Sequence, residues 1–207
     1  MGQVGDELGI NIIRLHQGLM DLNEPGSIAQ TIAFVKLHPG ISLWGSLPCT
    51  VWSAWQFMSV KRHGDPYLAK LVERRAQSLA LLANFITVAR EVRKRGGHVS
   101  FELPRYATGW LRSEVIKMIS EFNMFEATFD GCRFGLTDKK GNPIKKPWRV
   151  VTTCQTLASE LNQHKCSNPS GFKHSLAEGS KAAQTAFYPA AMCQTILNTL
   201  FREHINK

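Results

Sequence analysis

The longest regular pattern in the sequence is a run of apolar residues at helical spacing between positions 66 and 95. The run predicts one amphipathic helix, which the glycines Gly96 and Gly97 would end. Short apolar runs at residues 41–44 and 98–101 lie on either side of it and favour strands. Since a strand–helix–strand unit winds in one hand, the order predicts two neighbouring parallel strands.

The rest of the chain alternates short apolar runs with amphipathic stretches, which is typical of α/β proteins. We expect further strands at residues 11–15 and 125–129, and further helices at residues 25–37, 110–122, 155–162 and 189–204. Turn residues at 138–143 predict a hairpin that joins residues 132–136 to residues 148–153. Residues 1–207 are expected to form a single domain, with a soft subdivision into 1–130 and 131–207.

Charge and cysteine content narrow the classes of function. The formal charge of +9 favours a polyanionic partner, above all DNA or another nucleic acid, although a basic surface that only aids solubility gives the same number. Five irregularly spaced cysteines do not form a disulfide framework. No apolar run is long enough to span a membrane, and no signal-peptide pattern opens the chain. We therefore expect an intracellular protein, in the cytoplasm or the nucleus, with no membrane partner.

Two side chains that could take part in a reaction follow the two neighbouring strands. Cys49 comes after the first, behind the rigid Pro48, and Glu102 ends the second. The carboxyl ends of parallel strands meet at one edge of a sheet, where functional groups gather. A preorganised thiol beside a proton-donating carboxyl group is suited to addition to a ring. The same spacing would also suit a structural cysteine and a helix-capping glutamate.

Several segments resemble one family in the same order along the chain. SLPCTVWS resembles the Pro-Cys loop of carbon-5 cytosine DNA methyltransferases, and VSFELP resembles their second catalytic strand. CRFGL, GNPIKKPWRVVTT, GFKHSLAEGS and FYP resemble the C-terminal half of methyltransferase-like domains of phages and retroelement polyproteins. The resemblance covers roughly residues 10 to 200. It implies a Rossmann-like methyltransferase sheet with flanking helices, encoded by a phage or another mobile element.

The resemblance also implies roles for individual residues. Cys49 would be the nucleophile that adds to carbon 6 of cytosine, and Glu102 would protonate nitrogen 3. Pro48 would shape the loop. A flipped nucleotide is implied, because a thiol cannot reach a base inside the duplex. Its sugar or phosphate would be bound by three hydroxyl side chains, Ser46, Thr50 and Ser53.

The cofactor side of the resemblance is incomplete. Asp21 matches the acidic position that contacts the adenosine of S-adenosylmethionine, although it also reads as an exposed loop residue. The family's first strand and its Gly-rich turn are missing ahead of Ile10, which suggests an N-terminal truncation and predicts a severe loss of cofactor affinity. Leu103 and Trp148 stand where relatives have Asn and Thr. The enzyme is thus expected to be of doubtful activity, and the alternative is a degenerate, non-catalytic nucleic-acid-binding fold.

Two further groups of residues could bind a ligand. Lys145 and Lys146 precede Trp148, and Arg149 follows it. This pattern predicts either phosphate attraction with base stacking or a solvated turn with a half-buried tryptophan. Zinc prefers four Cys or His ligands, and the chain offers three weak candidates in Cys132, Cys166 and His174. Isolated thiols and a surface imidazole would explain these three equally.

Overall fold

The computed structural model describes residues 1–16, 21–168, 173–175, 185 and 187–205. Contacts divide the chain into two compact units. We call Leu15–Met124 the central unit, and Met1–Arg14 together with Phe125–Lys207 the terminal unit. The prediction of a single domain stays a prediction.

Helices and short strands make up both units. The helices are α1 (Gly2–Glu7), α2 (Pro25–Leu37), α3 (Gln56–Lys94), α4 (Ser113–Glu121), α5 (Gln155–Asn162) and α6 (Ala190–Ile205). The strands are β1 (Leu43–Ser46), β2 (Val99–Pro104), β3 (Phe125–Asp130) and β4 (Pro147–Thr152). Among the described residues, 3₁₀ turns lie at Thr50–Trp52, Thr108–Leu111 and Gly131–Phe134.

The central unit contains the predicted strand–helix–strand arrangement. β1 and β2 are parallel neighbours, in a register that pairs Leu43 with Val99 and Ser46 with Glu102. The first strand begins two residues later than predicted. The expectation of two adjacent parallel strands joined by a long helix is confirmed.

The crossover helix α3 is longer than predicted and kinked. Gly64 interrupts it with φ 67° and ψ −158°, directly ahead of Asp65 and Pro66. A positive φ suits glycine, and Pro66 cannot supply the amide that an unbroken helix would need there. Of the residues predicted to form the apolar stripe, Leu71, Leu82, Ile86 and Ala89 are buried, whereas Leu68, Val72 and Ala83 are exposed.

The terminal unit pairs its strands differently from the predicted hairpin. β4 is antiparallel to β3, with Phe125 opposite Thr152 and Asp130 opposite Pro147. Residues 132–136 do not pair with β4, so that part of the prediction is wrong. Residues 132–134 instead belong to the 3₁₀ turn that begins at Gly131, where an added Cβ would lie only 2.9 Å from the Trp148 ring.

The prediction of an N-terminal strand at residues 11–15 is also wrong. These residues have no regular structure. Ile10 and Ile12 instead pack against a small core formed by Val4 of α1 with Cys193 and Leu197 of α6. Ile10 and Ile12 are therefore partly covered by helices rather than by strand pairing, while Ile13 is exposed.

These elements make the protein α/β, with parallel and antiparallel strand pairs and flanking helices. Within the described residues, no helix is both long and apolar enough to cross a membrane.

Candidate active site

The Pro-Cys segment forms a tight turn directly after β1. Cys49 precedes the 3₁₀ turn Thr50–Trp52 as its N-cap residue, with φ −91° and ψ −11°. Its side chain is half-buried, whereas Pro48 and Thr50 on either side are exposed. The thiol thus belongs to the surface turn that the sequence predicts.

Side chains from distant parts of the central unit hold this turn in place. The carbonyl oxygens of four consecutive residues, 49 to 52, all accept hydrogen bonds. Their donors are Trp52 N at 2.9 Å from Cys49 O, Gln56 Nε2 at 2.9 Å from Thr50 O, Arg75 Nε at 3.1 Å from Val51 O and Thr108 Oγ1 at 3.0 Å from Trp52 O. A backbone fixed at every carbonyl is preorganised, so little conformational entropy is left to lose when a ligand binds.

Trp52 anchors the turn in the core. The residue is 7% exposed, and its indole N–H donates to Ser78 Oγ at 2.8 Å. The guanidinium carbons of Arg75 and Arg112 lie 5.3 Å and 5.8 Å from the centre of its ring, within the range of a cation–π interaction. Sequence reasoning missed these partners because their separation along the chain gives no local signal.

Glu102 is a buried carboxyl group at the end of β2. It is 4% exposed, and Ser46, its register partner in β1, donates a hydrogen bond to Oε2 at 2.9 Å. The Ser46 hydroxyl thus donates its hydrogen bond to the carboxyl group, and the expectation that it binds a sugar or a phosphate stays a prediction. The ends of β1 and β2 do lie at the same edge, as their parallel pairing requires.

The space beneath the turn is too small for a base. Leu47, Trp52, Leu103 and Gly109 contribute to the lining of a cavity of about 10 Å³, which has room for one water molecule. Leu103, at the position where relatives have Asn, is 3% exposed and belongs to this apolar lining. A planar ligand would have to lie on the exposed side of the strand ends.

An aromatic and basic segment follows the turn. Trp55 is 65% exposed and Phe57 is 74% exposed, and Lys61 and Arg62 are exposed one turn further along α3. Ser53 lies half-buried at its start, where its hydroxyl accepts the Trp55 N–H at 3.3 Å. We call residues 55–62 the aromatic–basic segment. Exposed rings beside cations are typical of single-stranded nucleic-acid surfaces, and the letters WQFMSVKR could have signalled this.

The residues near Asp21 do not fit the expected cofactor site. Asp21 Oδ1 accepts two hydrogen bonds from Asn23, both of 2.9 Å, one from the backbone and one from the side chain. The carboxylate thus closes a turn ahead of α2, and the strand expected before it does not form. In the described part of the first 24 residues, no strand followed by a Gly-rich turn is present to receive S-adenosylmethionine.

The basic hairpin residues lie in the terminal unit, and base stacking by Trp148 is contradicted. Trp148 is 1% exposed and packs against Phe129 and Tyr188, so no base can reach its ring. Lys146 Nζ donates to Thr185 O at 2.6 Å, and Lys145 Nζ donates to Asn168 Oδ1 at 2.9 Å. Both lysines contact their own unit.

The terminal unit also brings together the three weak metal candidates. The ligand atoms of Cys132, Cys166 and His174 lie within 4.8 Å of one another, and Cys166 Sγ is 3.5 Å from His174 Nε2. Burial, with a smaller contribution from Cys166, raises the pKa of the Cys132 thiol to about 11. Cys154, by contrast, accepts the Leu157 N–H as the N-cap of α5.

The chain was compared with known families, curated proteins and solved structures. None of them matches it. The methyltransferase resemblance stays a prediction. A function can be inferred only from the side chains described above.

Proposed function

We propose that the Pro-Cys turn and Glu102 form the target-base site of a carbon-5 cytosine DNA methyltransferase-like protein, built on a Rossmann-like α/β core. One observation carries the proposal: the parallel register pairs Ser46 with Glu102, so that the Cys49 turn and the carboxyl group follow neighbouring strands at one edge. The sequence motifs SLPCTVWS and VSFELP meet at this edge.

The chemistry that this pair supports is reversible addition to a cytosine ring. The Cys49 thiolate forms a bond to carbon 6, the electrons of the ring shift towards nitrogen 3, and Glu102 donates a proton there. Carbon 5 is then nucleophilic and can take a proton from solvent. Loss of the original carbon-5 proton, return of the nitrogen-3 proton and release of the thiolate restore the base. The base must be unstacked for the thiol to approach.

The fixed turn supports this role for Cys49. Hydrogen bonds fix four consecutive carbonyls of the turn, and Pro48 and Thr50 on either side of Cys49 are exposed. Positioning of this kind lowers the entropic part of a barrier.

The aromatic–basic segment supports a nucleic acid as the substrate. Trp55 and Phe57 offer exposed rings for stacking, and Lys61 and Arg62 offer charges for phosphates. The segment begins three residues after Trp52, the last residue of the 3₁₀ turn, so a bound strand would lie close to the thiol.

S-adenosylmethionine is not assigned a step, because the described residues around Asp21 do not fit it. The proposal is therefore tested through base activation alone. The competing hypothesis is a degenerate fold of a mobile element that binds nucleic acid without chemistry. The aromatic–basic segment favours that hypothesis equally, and only a reaction at the base separates the two.

The decisive experiment measures release of tritium to water from oligonucleotides labelled at carbon 5 of cytosine, single-stranded and duplex. We expect exchange by the wild type, its abolition in Cys49→Ala, and a loss of about 10²–10⁴-fold in Glu102→Gln, the usual contribution of a general acid. Cys193→Ala removes a thiol from α6 and should leave exchange unchanged. Exchange that survives in Cys49→Ala would refute the assignment of the nucleophile. Binding without any exchange would establish the non-catalytic alternative.

A second experiment tests the nucleic-acid partner. Affinity for a single-stranded oligonucleotide should fall linearly on a log–log plot against salt, and Lys61→Gln with Arg62→Gln should reduce the slope by about 1.4. Trp55→Ala should weaken binding by about 1–3 kcal/mol through the lost stacking. Phe187→Ala removes an exposed ring from the terminal unit, 80% exposed, and is the matched control. Affinity that does not respond to salt would exclude a phosphate-binding surface.

A further inference from the structure

The terminal unit contains a cluster of metal ligands that plays no part in the proposed base chemistry. Cys132 lies in the 3₁₀ turn after β3, Cys166 follows α5, and His174 lies in the described segment 173–175. Three parts of the chain thus bring two thiols and one imidazole to within 4.8 Å of one another.

We propose that Cys132 Sγ, Cys166 Sγ and His174 Nε2 bind one zinc ion, with water in the fourth position. Zinc bound to sulfur at about 2.3 Å and to nitrogen at about 2.0–2.1 Å, at a tetrahedral angle, separates the two ligand atoms by about 3.6 Å. The observed distance from Cys166 Sγ to His174 Nε2 is 3.5 Å. The geometry of the pair is that of ligands already in place.

The type of ligand selects the metal. Two thiols and an imidazole suit zinc, whereas magnesium and calcium prefer oxygen. All three residues are half-buried, so the site is reachable by an ion and by the water that completes the coordination. Three protein ligands with one open position are a common zinc arrangement.

Hydrogen bonds outside the cluster fix the backbone next to two of the ligands. The Cys166 N–H donates to Asp130 Oδ2 at 2.8 Å, at the end of β3. Ser175, which follows His174, donates from its backbone to Pro143 O at 2.8 Å and from its hydroxyl to Asp138 Oδ2 at 2.7 Å. Such supporting contacts orient metal ligands, and their loss commonly weakens metal binding by about 10–100-fold.

A bound zinc ion would cross-link Cys166 and His174 to Cys132, which lies in the turn after β3. The described part of the chain between Cys166 and His174 offers little apolar surface, since residues 167, 168 and 173 are exposed. A metal would supply the stability that burial does not.

The test uses the full chain, purified under reducing conditions from zinc-supplied medium and dialysed against metal-free buffer. Metal analysis should give about one zinc per chain, as a site with three protein ligands predicts. Cys132→Ser, Cys166→Ser and His174→Gln should each lose the metal, and Cys193→Ser should retain it. Ser175→Ala should bind zinc about 10-fold more weakly without changing the stoichiometry at saturation.

The wild type alone provides a second readout, in case a variant fails to fold. Cobalt added to the metal-free protein should give the charge-transfer absorption of thiolate ligands, and zinc should displace it. Cys132 and Cys166 should resist alkylation until a chelator is added, while Cys49 reacts throughout. A reduced wild type that binds neither ion, or in which Cys132 and Cys166 are alkylated as fast with zinc as without it, would overturn the proposal, as would a persistent Cys132–Cys166 disulfide.

Discussion

Alanine should destabilise the protein at either of the two adjacent glycines just after α3, but for different reasons, and we expect Gly97→Ala to be the more damaging. A Cβ placed on Gly97 would lie 1.8 Å from the carbonyl oxygen of Ile41 and 2.8 Å from Val92 Cγ1. Gly96 has nothing within 4 Å of such an atom, but its φ is +79°. Gly96 is thus required by its backbone conformation, and Gly97 is required by the close approach of the Ile41 backbone.

The magnitudes follow from these two causes. Alanine at Gly96 would bear a left-handed strain of about 1–2 kcal/mol. Its lower entropy in the unfolded chain returns about 0.4–1 kcal/mol, which leaves a net loss near 1 kcal/mol. Alanine at Gly97 meets a backbone oxygen that cannot rotate away, so the loss should reach the upper end of the overpacking range, about 3 kcal/mol.

Thermal unfolding of the full chain provides the assay. For a protein of this length about 1 kcal/mol corresponds to about 2–4 °C in Tm, so Gly97→Ala should lower Tm by about 6–12 °C and Gly96→Ala by about 2–4 °C. Gly26→Ala is the matched control, because Gly26 lies in α2 with nothing within 4 Å of an added Cβ. Its Tm should not fall.

The result that would refute this reasoning is a Gly97→Ala variant no less stable than Gly96→Ala. It would mean that Ile41 does not approach the turn. The substitution should also disturb the start of β1, because Leu43 N donates to His98 O at 2.7 Å just beyond this contact. Amide exchange at Leu43 should accelerate in Gly97→Ala but not in Gly26→Ala.

Two further predictions concern a core residue and an ion pair. Trp148→Ala should lower the free energy of unfolding by about 3–5 kcal/mol, since its ring is buried; urea denaturation measures this, and lost DNA affinity at unchanged stability would contradict it. Arg90 donates two hydrogen bonds to Glu121, which lower the pKa of that carboxyl group. A carboxyl group with a lowered pKa stabilises the folded state at pH values above its unfolded pKa, about 4.3. This stabilisation is lost as the pH falls through the folded pKa. Because the pair is exposed, Glu121→Gln should cost no more than about 1 kcal/mol at pH 7, with the difference from wild type vanishing in acid; a constant difference would exclude the ion pair as its cause.

Local signals in the sequence located the elements that depend on local chemistry. Helices α2 and α5 begin and end at the predicted residues, 25–37 and 155–162. The pairing of β1 with β2 followed from the handedness of crossovers, which is a rule about chains rather than about particular side chains. The turn at residues 138–142 also forms, with Asp138 Oδ1 accepting the Lys140 and Asn142 amides.

The errors share one physical origin, which is that an apolar run does not specify the surface that will bury it. Residues 11–15 have the composition of a strand, yet the isoleucines next to α1 are covered by α6. Trp148, set among lysines, suggested an exposed ring and is instead packed between Phe129 and Tyr188. Hydropathy measures the tendency to be buried, whereas the choice of partner is made by tertiary contacts.

The same distinction separates the two parts of the candidate site. The ends of β1 and β2, near which Cys49 and Glu102 lie, could be placed at one edge from sequence, because parallel pairing alone aligns the carboxyl ends of neighbouring strands. Arg75, Ser78 and Thr108, which hold the turn, could not, because a hydrogen bond between residues more than twenty positions apart leaves no periodic trace. The proposed base chemistry would require the turn to be rigid as well as correctly placed. Arg75→Met keeps the length of the side chain but removes the donor to Val51. We therefore expect it to lower the rate of base exchange by a larger fraction than it lowers the free energy of unfolding.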